Sequence, residues 1–237
     1  MGELSAVLVH SEACIKIALR MRAIFETKPL TKEKVAAHAL FCRCIDHFRA
    51  SVSIAENGLD PEALALVRGI SETTFVIGAL LKGVLSIGQL ESFDRASKAK
   101  GARAMREFLQ RNAPTELQMH MSDYADRYAG QTLNFEDLAR KIGEADMYNG
   151  YYRLFSSLAA HPSLSAIDKY LVYGEHETTI NYPGHGRSPQ ATILIAASAF
   201  VHTCAGIERW LGTTPEINQS LNCLLIAHES FGPMSDW

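Results

Sequence analysis

The chain has 237 residues, 47% of them hydrophobic and 21% charged, with a formal net charge of −3 at pH 7 and a pI near 6.3. That length and composition suit a globular fold with a sizeable core, one large domain or two small ones. The weak acidity excludes a chain-wide basic footprint for nucleic acid, so any such contact has to use a local patch. Five cysteines, at 14, 42, 44, 204 and 223, form no CxxC pair, and Cys42 and Cys44 project from different sides of a helix, which points to reduced thiols. The opening residues Met1-Gly-Glu-Leu-Ser carry no basic n-region. The longest apolar run, Phe75 to Leu81, is far below the roughly 18 residues of a membrane span, so the expectation is a cytoplasmic chain with no membrane contact.

Taken in order, the elements are helical nearly throughout. Leu4, Val7, Leu8, Ile15, Ala18 and Leu19 recur at three- and four-residue intervals, which predicts a first helix ending near Phe25, before Lys28-Pro29. Thr31 is placed to cap a second helix running to about Glu56, where Asn57-Gly58 closes it. Asp60-Pro61-Glu62 opens the third helix, with Asp60 as its cap. Its stretch from Ala63 to Leu81 is apolar on most sides, the mark of a helix surrounded by others. A fourth helix is expected from about Ser86 to Gln110 with Gly101 as a weak point, a fifth from Pro114 through Tyr128, and a short one after the cap Asn134.

The next helix, about Ala145 to Ala160, carries Arg153, Ser157 and His161 before Pro162 stops it. Tyr170 to Tyr182 is the one stretch with strand character and predicts a small hairpin, and Gly184 to Pro189 reads as a loop. A long apolar helix from Gln190 to Leu211 and a capped helix from Thr214-Pro215 complete the chain. With no repeat or dividing linker, the sum is an all-α single domain over residues 1–237, its core roughly 30–211, with one hairpin near 170–182.

Chemistry is sought among polar residues in apolar surroundings. Arg68 and Glu72 lie four apart on the apolar third helix, close enough to pair along its face. Either they form an ion pair that fixes helix docking, or they line a cleft in which Glu72 acts as acid, base or ligand. Arg153, Ser157 and His161 share a stripe one turn apart, so a hydroxyl and an imidazole can meet beside a guanidinium. An imidazole at a helix C-terminus favours its protonated form, and a cationic histidine near an arginine suits phosphate or another anion. A Ser157 nucleophile with His161 as base is the acyl-transfer alternative, for which no orienting third group is visible. The stripe could equally face water.

Metal signatures are absent: no Glu-x-x-His and no HExxH occurs. A site would need His47, His120, His161 and His202 to converge from separate helices. No cofactor is called for. The basic run Arg95, Lys98, Lys100, Arg103, Arg106 and Arg111 is either a solvated face or a surface for tracking RNA phosphates.

Leu66-Val-Arg-Gly-Ile-Ser-Glu72, together with the later Tyr-Arg-x-x-Ser-Ser-x-x-x-His-Pro element, resembles a family of microbial all-helical proteins known as a domain of unknown function, over roughly residues 35–210. In that resemblance Arg68 and Glu72 match one element and Ser157 and His161 the other. More distantly, the second element is similar to the arginine-to-histidine motif of HEPN-like bundles, many of them metal-independent RNA-cleaving proteins. Their motif is Arg-x4-6-His, whereas seven residues separate Arg153 from His161. The HEPN-like resemblance implies that His161 deprotonates a ribose 2′-hydroxyl while Arg153 stabilises phosphate charge, with a homodimer and an RNA or nucleotide ligand. The competing expectations are a non-enzymatic sensor binding a nucleotide or small anion through Arg68, Glu72, Arg153 and His161, and a structural or interaction bundle.

Overall fold

The computed structural model describes residues 3–112, 114–127, 130, 132–159, 167–182 and 188–232. Its helices are α1 (Glu3–Met21), α2 (Lys32–Glu56), α3 (Asp60–Leu81), α4 (Ile87–Asn112), α5 (Thr115–Arg127), α6 (Phe135–Ile142), α7 (Ala145–Met147), α8 (Arg153–Ala159), α9 (Pro189–Leu211) and α10 (Pro215–Glu229). Short 3-10 turns cover Arg22–Glu26 and Asp168–Tyr170, and a π turn, Tyr148–Tyr152, joins α7 to α8. Strands β1 (Leu171–Tyr173) and β2 (Thr178–Ile180) pair antiparallel with Val172 opposite Thr179. The fold is therefore an all-α bundle with one small hairpin.

Local chemistry accounts for most helix starts. The hydroxyl of Thr31 accepts from the Lys34 amide, the Asn134 carbonyl from that of Asp137, and Ser188 and Thr214 serve α9 and α10 alike, each followed by proline. The start of α3 departs from the expectation. Leu59 is its N-cap, and Asp60 lies one residue inside, buried, accepting a long 3.5 Å hydrogen bond from Thr192 of α9. Its carboxylate is used for tertiary docking in place of capping.

The core is built on α3, which packs against α2, α6, α8 and α9. The Phe48 and Phe200 rings stack 4.4 Å apart where α2 meets α9, and Thr74 and Thr203 share a buried 2.7 Å hydrogen bond where α3 meets α9. By length and composition α3 and α9 could each cross a membrane, which the Phe75–Leu81 run alone did not suggest. In the bundle 67% of each such window is buried against other helices. On one flank α1 packs against α9 and α10, and on the other α6 and the π turn close over α3. Helices α4 and α5 pair with each other and meet the rest mainly at the base of α4.

Candidate functional site

Arg68 and Glu72 do pair along α3: Arg68 Nε donates to Glu72 Oε1 at 3.1 Å and a terminal nitrogen lies 3.0 Å from the same oxygen. The pair is neither dry nor free in water, with side chains 26% and 28% exposed. Its third member comes from the π turn. The Arg68 guanidinium lies over the Tyr152 ring, 5.4 Å from the centroid, in cation–π range. Burial alone would lower the arginine pKa, but the Glu72 charge and the Tyr152 phenol together raise it. The Tyr152 phenol is itself raised, by burial first and by Glu72, with Arg68 opposing. At ordinary pH Arg68 is thus cationic and the phenol it faces is neutral.

The π turn is what brings Tyr152 there. One extra residue per turn shifts the phase of everything after it by about 100° relative to a regular helix, and such turns recur at functional sites. Tyr148 and Tyr152 stack 5.0 Å apart, both rings lean on Phe75, and Tyr151 lies over Phe155. All three tyrosines remain partly exposed at the seam between α3 and α8.

On the opposite side of the pair, α2 contributes His47 and Arg43. A Cβ on Gly69 would lie 2.9 Å from His47 Nδ1, so the glycine between Arg68 and Glu72 is what lets the imidazole settle against α3. That Nδ1 atom is buried without a hydrogen-bond partner, and Arg43 Nε approaches Nε2 at 3.4 Å. Burial first, then the Arg43 charge, lowers the His47 pKa, against the pull of Asp46 and Glu72.

Arg153 and Ser157 lie on another flank. They follow Tyr152 by about 100° and 140° of helical rotation, and both are exposed, while Phe155 between them is fully buried. The Ser157 hydroxyl donates to the Leu154 carbonyl at 2.8 Å. His161, the third member of the stripe, lies outside the described residues, as does the Gly184–Arg187 part of the expected loop.

The histidine convergence does not occur among the described members of that set. His47 sits against Gly69, His120 is exposed on α5, and His202 of α9 bonds to Glu144. No group of three or more histidine, cysteine, aspartate or glutamate residues among those described has metal-binding geometry. Three of the six basic residues of the α4 run have a carboxylate partner in place, with Arg95 3.7 Å from Glu91, Lys98 2.6 Å from Asp94 and Arg106 3.3 Å from Asp126.

Two polar clusters were missed by sequence reasoning. Glu144, 4% exposed, accepts from His202 and Arg209 at 2.5 Å each and so ties the start of α7 to α9. Burial would raise its pKa, yet those two partners hold it below the usual carboxylate value. The second runs across α9, α10 and α1: Ser198 Oγ lies 2.6 Å from His228 Nε2, and His228 Nδ1 lies 3.0 Å from His10 Nε2. Cys14 Sγ is 3.7 Å from that same His10 nitrogen, and burial pushes its thiol up to about 12. The spacings His10/Cys14 and His202/Arg209, whole helical turns inside apolar helices, were the available signal.

The fold and this seam define a helical bundle with a polar cluster laid across α3 and the π turn. By match to a family model over residues 34–178, more than half its length, the chain belongs to the family of unknown function DUF5677. That span holds Arg68, Glu72, Tyr152, Arg153, Ser157 and His161, and leaves out α1, α9 and α10. No curated protein and no solved structure matches the chain significantly.

Proposed function

We propose that the protein binds a nucleotide or RNA phosphate at the seam of α3 and α8, in the manner of a HEPN-like bundle. The observation that carries this reading is the π turn that sets Tyr152 against the Arg68–Glu72 pair beside two further half-exposed tyrosines. Base faces stack on such rings, and a guanidinium held by a carboxylate keeps N–H groups to offer a phosphate oxygen. Glu72 orients Arg68, Tyr152 shields it from water, and the exposed Arg153 one residue further on supplies a second cation to the phosphate backbone. RNA cleavage is the stronger form of the same reading, with Arg153 stabilising developing charge and His161 moving the 2′-hydroxyl proton. The exposed Arg153–Ser157 flank supports it.

Fluorescence anisotropy with labelled single-stranded RNA, competed by nucleotides, tests the proposal. Arg68→Gln and Tyr152→Leu are expected to weaken binding at least tenfold with unchanged helical circular dichroism, and Arg153→Ala by less. Cleavage of the same RNA, lost in Arg153→Ala while binding persists, would establish the enzymatic form. Absence of any RNA or nucleotide binding by the folded wild-type protein would overturn the proposal in favour of a scaffold role.

A further inference from the structure

The base of α4 and the residues leading into α6 enclose a half-open cavity of about 320 Å³. Its walls are apolar, the rings of Phe93 and Phe135 with Leu90 and Leu133, and polar groups enter only from Asp94, Ser97 and Thr132. Aromatic walls with a few polar groups are the make-up of a small-molecule site, and this volume lies at the small end of such sites, the size for a single base rather than a whole nucleotide. The cavity also adjoins the cluster on α3. Phe135 belongs to both: it lines the cavity, and its ring centroid lies 5.9 Å from that of Tyr152, over which Arg68 is held at 5.4 Å. One aromatic ring therefore separates the cavity wall from the guanidinium, a gap that a ribose and its phosphate bridge.

The polar groups select among bases. A carboxylate only accepts hydrogen bonds, whereas the hydroxyls of Ser97 and Thr132 either donate or accept. Lys98 engages Oδ2 of Asp94 at 2.6 Å, and Oδ1 has no hydrogen bond or ion pair among the described residues. Each carboxylate oxygen carries two lone pairs, so the Lys98 contact leaves acceptors on both. Of the four RNA bases, guanine alone has two neighbouring donor nitrogens on one edge, N1–H and the 2-amino group. Adenine, cytosine and uracil each present a single donor nitrogen there, flanked by acceptors that a carboxylate repels. The O6 and N7 acceptors of guanine suit the two hydroxyls.

We infer that this cavity is a guanine-selective base pocket, the base lying along Phe93 and Phe135 with N1–H and the 2-amino group donating to Asp94, while its phosphate reaches Arg68. The inference rests on the phosphate-binding reading of the Arg68 cluster. Competition of GMP, IMP, AMP, CMP and UMP against labelled single-stranded RNA, read by fluorescence anisotropy, tests it. GMP is expected to compete at least tenfold better than AMP, CMP or UMP, with IMP, which lacks the 2-amino group, in between. Asp94→Asn is expected to bring GMP down to the level of AMP and leave AMP unchanged, with unchanged circular dichroism. Phe93→Leu should weaken all five. Equal competition by all five nucleotides, with binding that still needs Arg68 and Tyr152, would overturn the pocket alone, as would a guanine preference that survives Asp94→Asn. Absence of binding by every nucleotide and by RNA would overturn both the pocket and the reading beneath it.

Discussion

Lowering the pH towards 5 should loosen the seam between α1, α9 and α10, and the size of the effect follows from His10. Its ring is 6% exposed, stacked on His228 at 5.2 Å and flanked by Phe231 and Cys14. The hydrogen bond from ring nitrogen to ring nitrogen needs one donor and one acceptor, so the pair cannot hold a proton on both facing nitrogens. Burial, and then the proximity of His228, lowers the His10 pKa to about 4. His228 is lowered too, by burial, with Glu229 pulling the other way.

Because the folded pKa lies below the unfolded one, the unfolded chain takes up protons first as pH falls. Stability from this group is complete above about pH 7, begins to fall near 6.5, and is lost progressively until the pH reaches the folded pKa. For His10 alone the loss is about 1.4 kcal/mol by about pH 5.5 and about 3.4 kcal/mol in full. Urea unfolding at about pH 7.5 and 5.5 measures it. His10→Gln, which keeps an N–H to donate to His228, should be less pH-sensitive than wild type by most of that 1.4 kcal/mol. Equal sensitivity in the two proteins would refute the assignment, because His38, His47 and His228 are lowered in both.

Glu144→Ala removes the carboxylate that ties α7 to α9. The expected cost is about 2 kcal/mol, below the 3–5 of a pair buried on both sides because the His202 and Arg209 side chains, 34% and 50% exposed, can be rehydrated; hydrogen exchange should show residues 145–159 opening first. Gly101→Ala, on α4 with open space around it, should raise stability by about 0.5–1 kcal/mol in thermal denaturation through helix propensity. Gly69→Ala should give no such gain, since the new methyl meets the His47 ring at 2.9 Å.

Local rules made much of the fold legible. Thr31, Asn134, Ser188-Pro189 and Thr214-Pro215 announce helix starts because capping involves only neighbours in sequence. The Arg68–Glu72 pair was readable for the same reason, being one turn apart. Tyr152 was not. Its arrival over Arg68 depends on a π turn, and Tyr148-Asn-Gly-Tyr-Tyr152 fits a regular helix equally well by periodicity. Asp60 was misread as a cap because its true partner, Thr192, is 132 positions away. Glu144 gave no sign either, its partners lying 58 and 65 residues further on. Long-range pairs of that kind are decided by how α3 and α9 pack, which single-sequence patterns do not encode.

The most direct test of the central claim is the affinity of the folded wild-type protein for labelled single-stranded RNA, set against Tyr152→Leu under identical salt. The account predicts saturable binding that weakens at least tenfold in the variant and competes with free nucleotides. Binding equal in the two proteins would contradict a site built on the π turn and the Arg68–Glu72 pair.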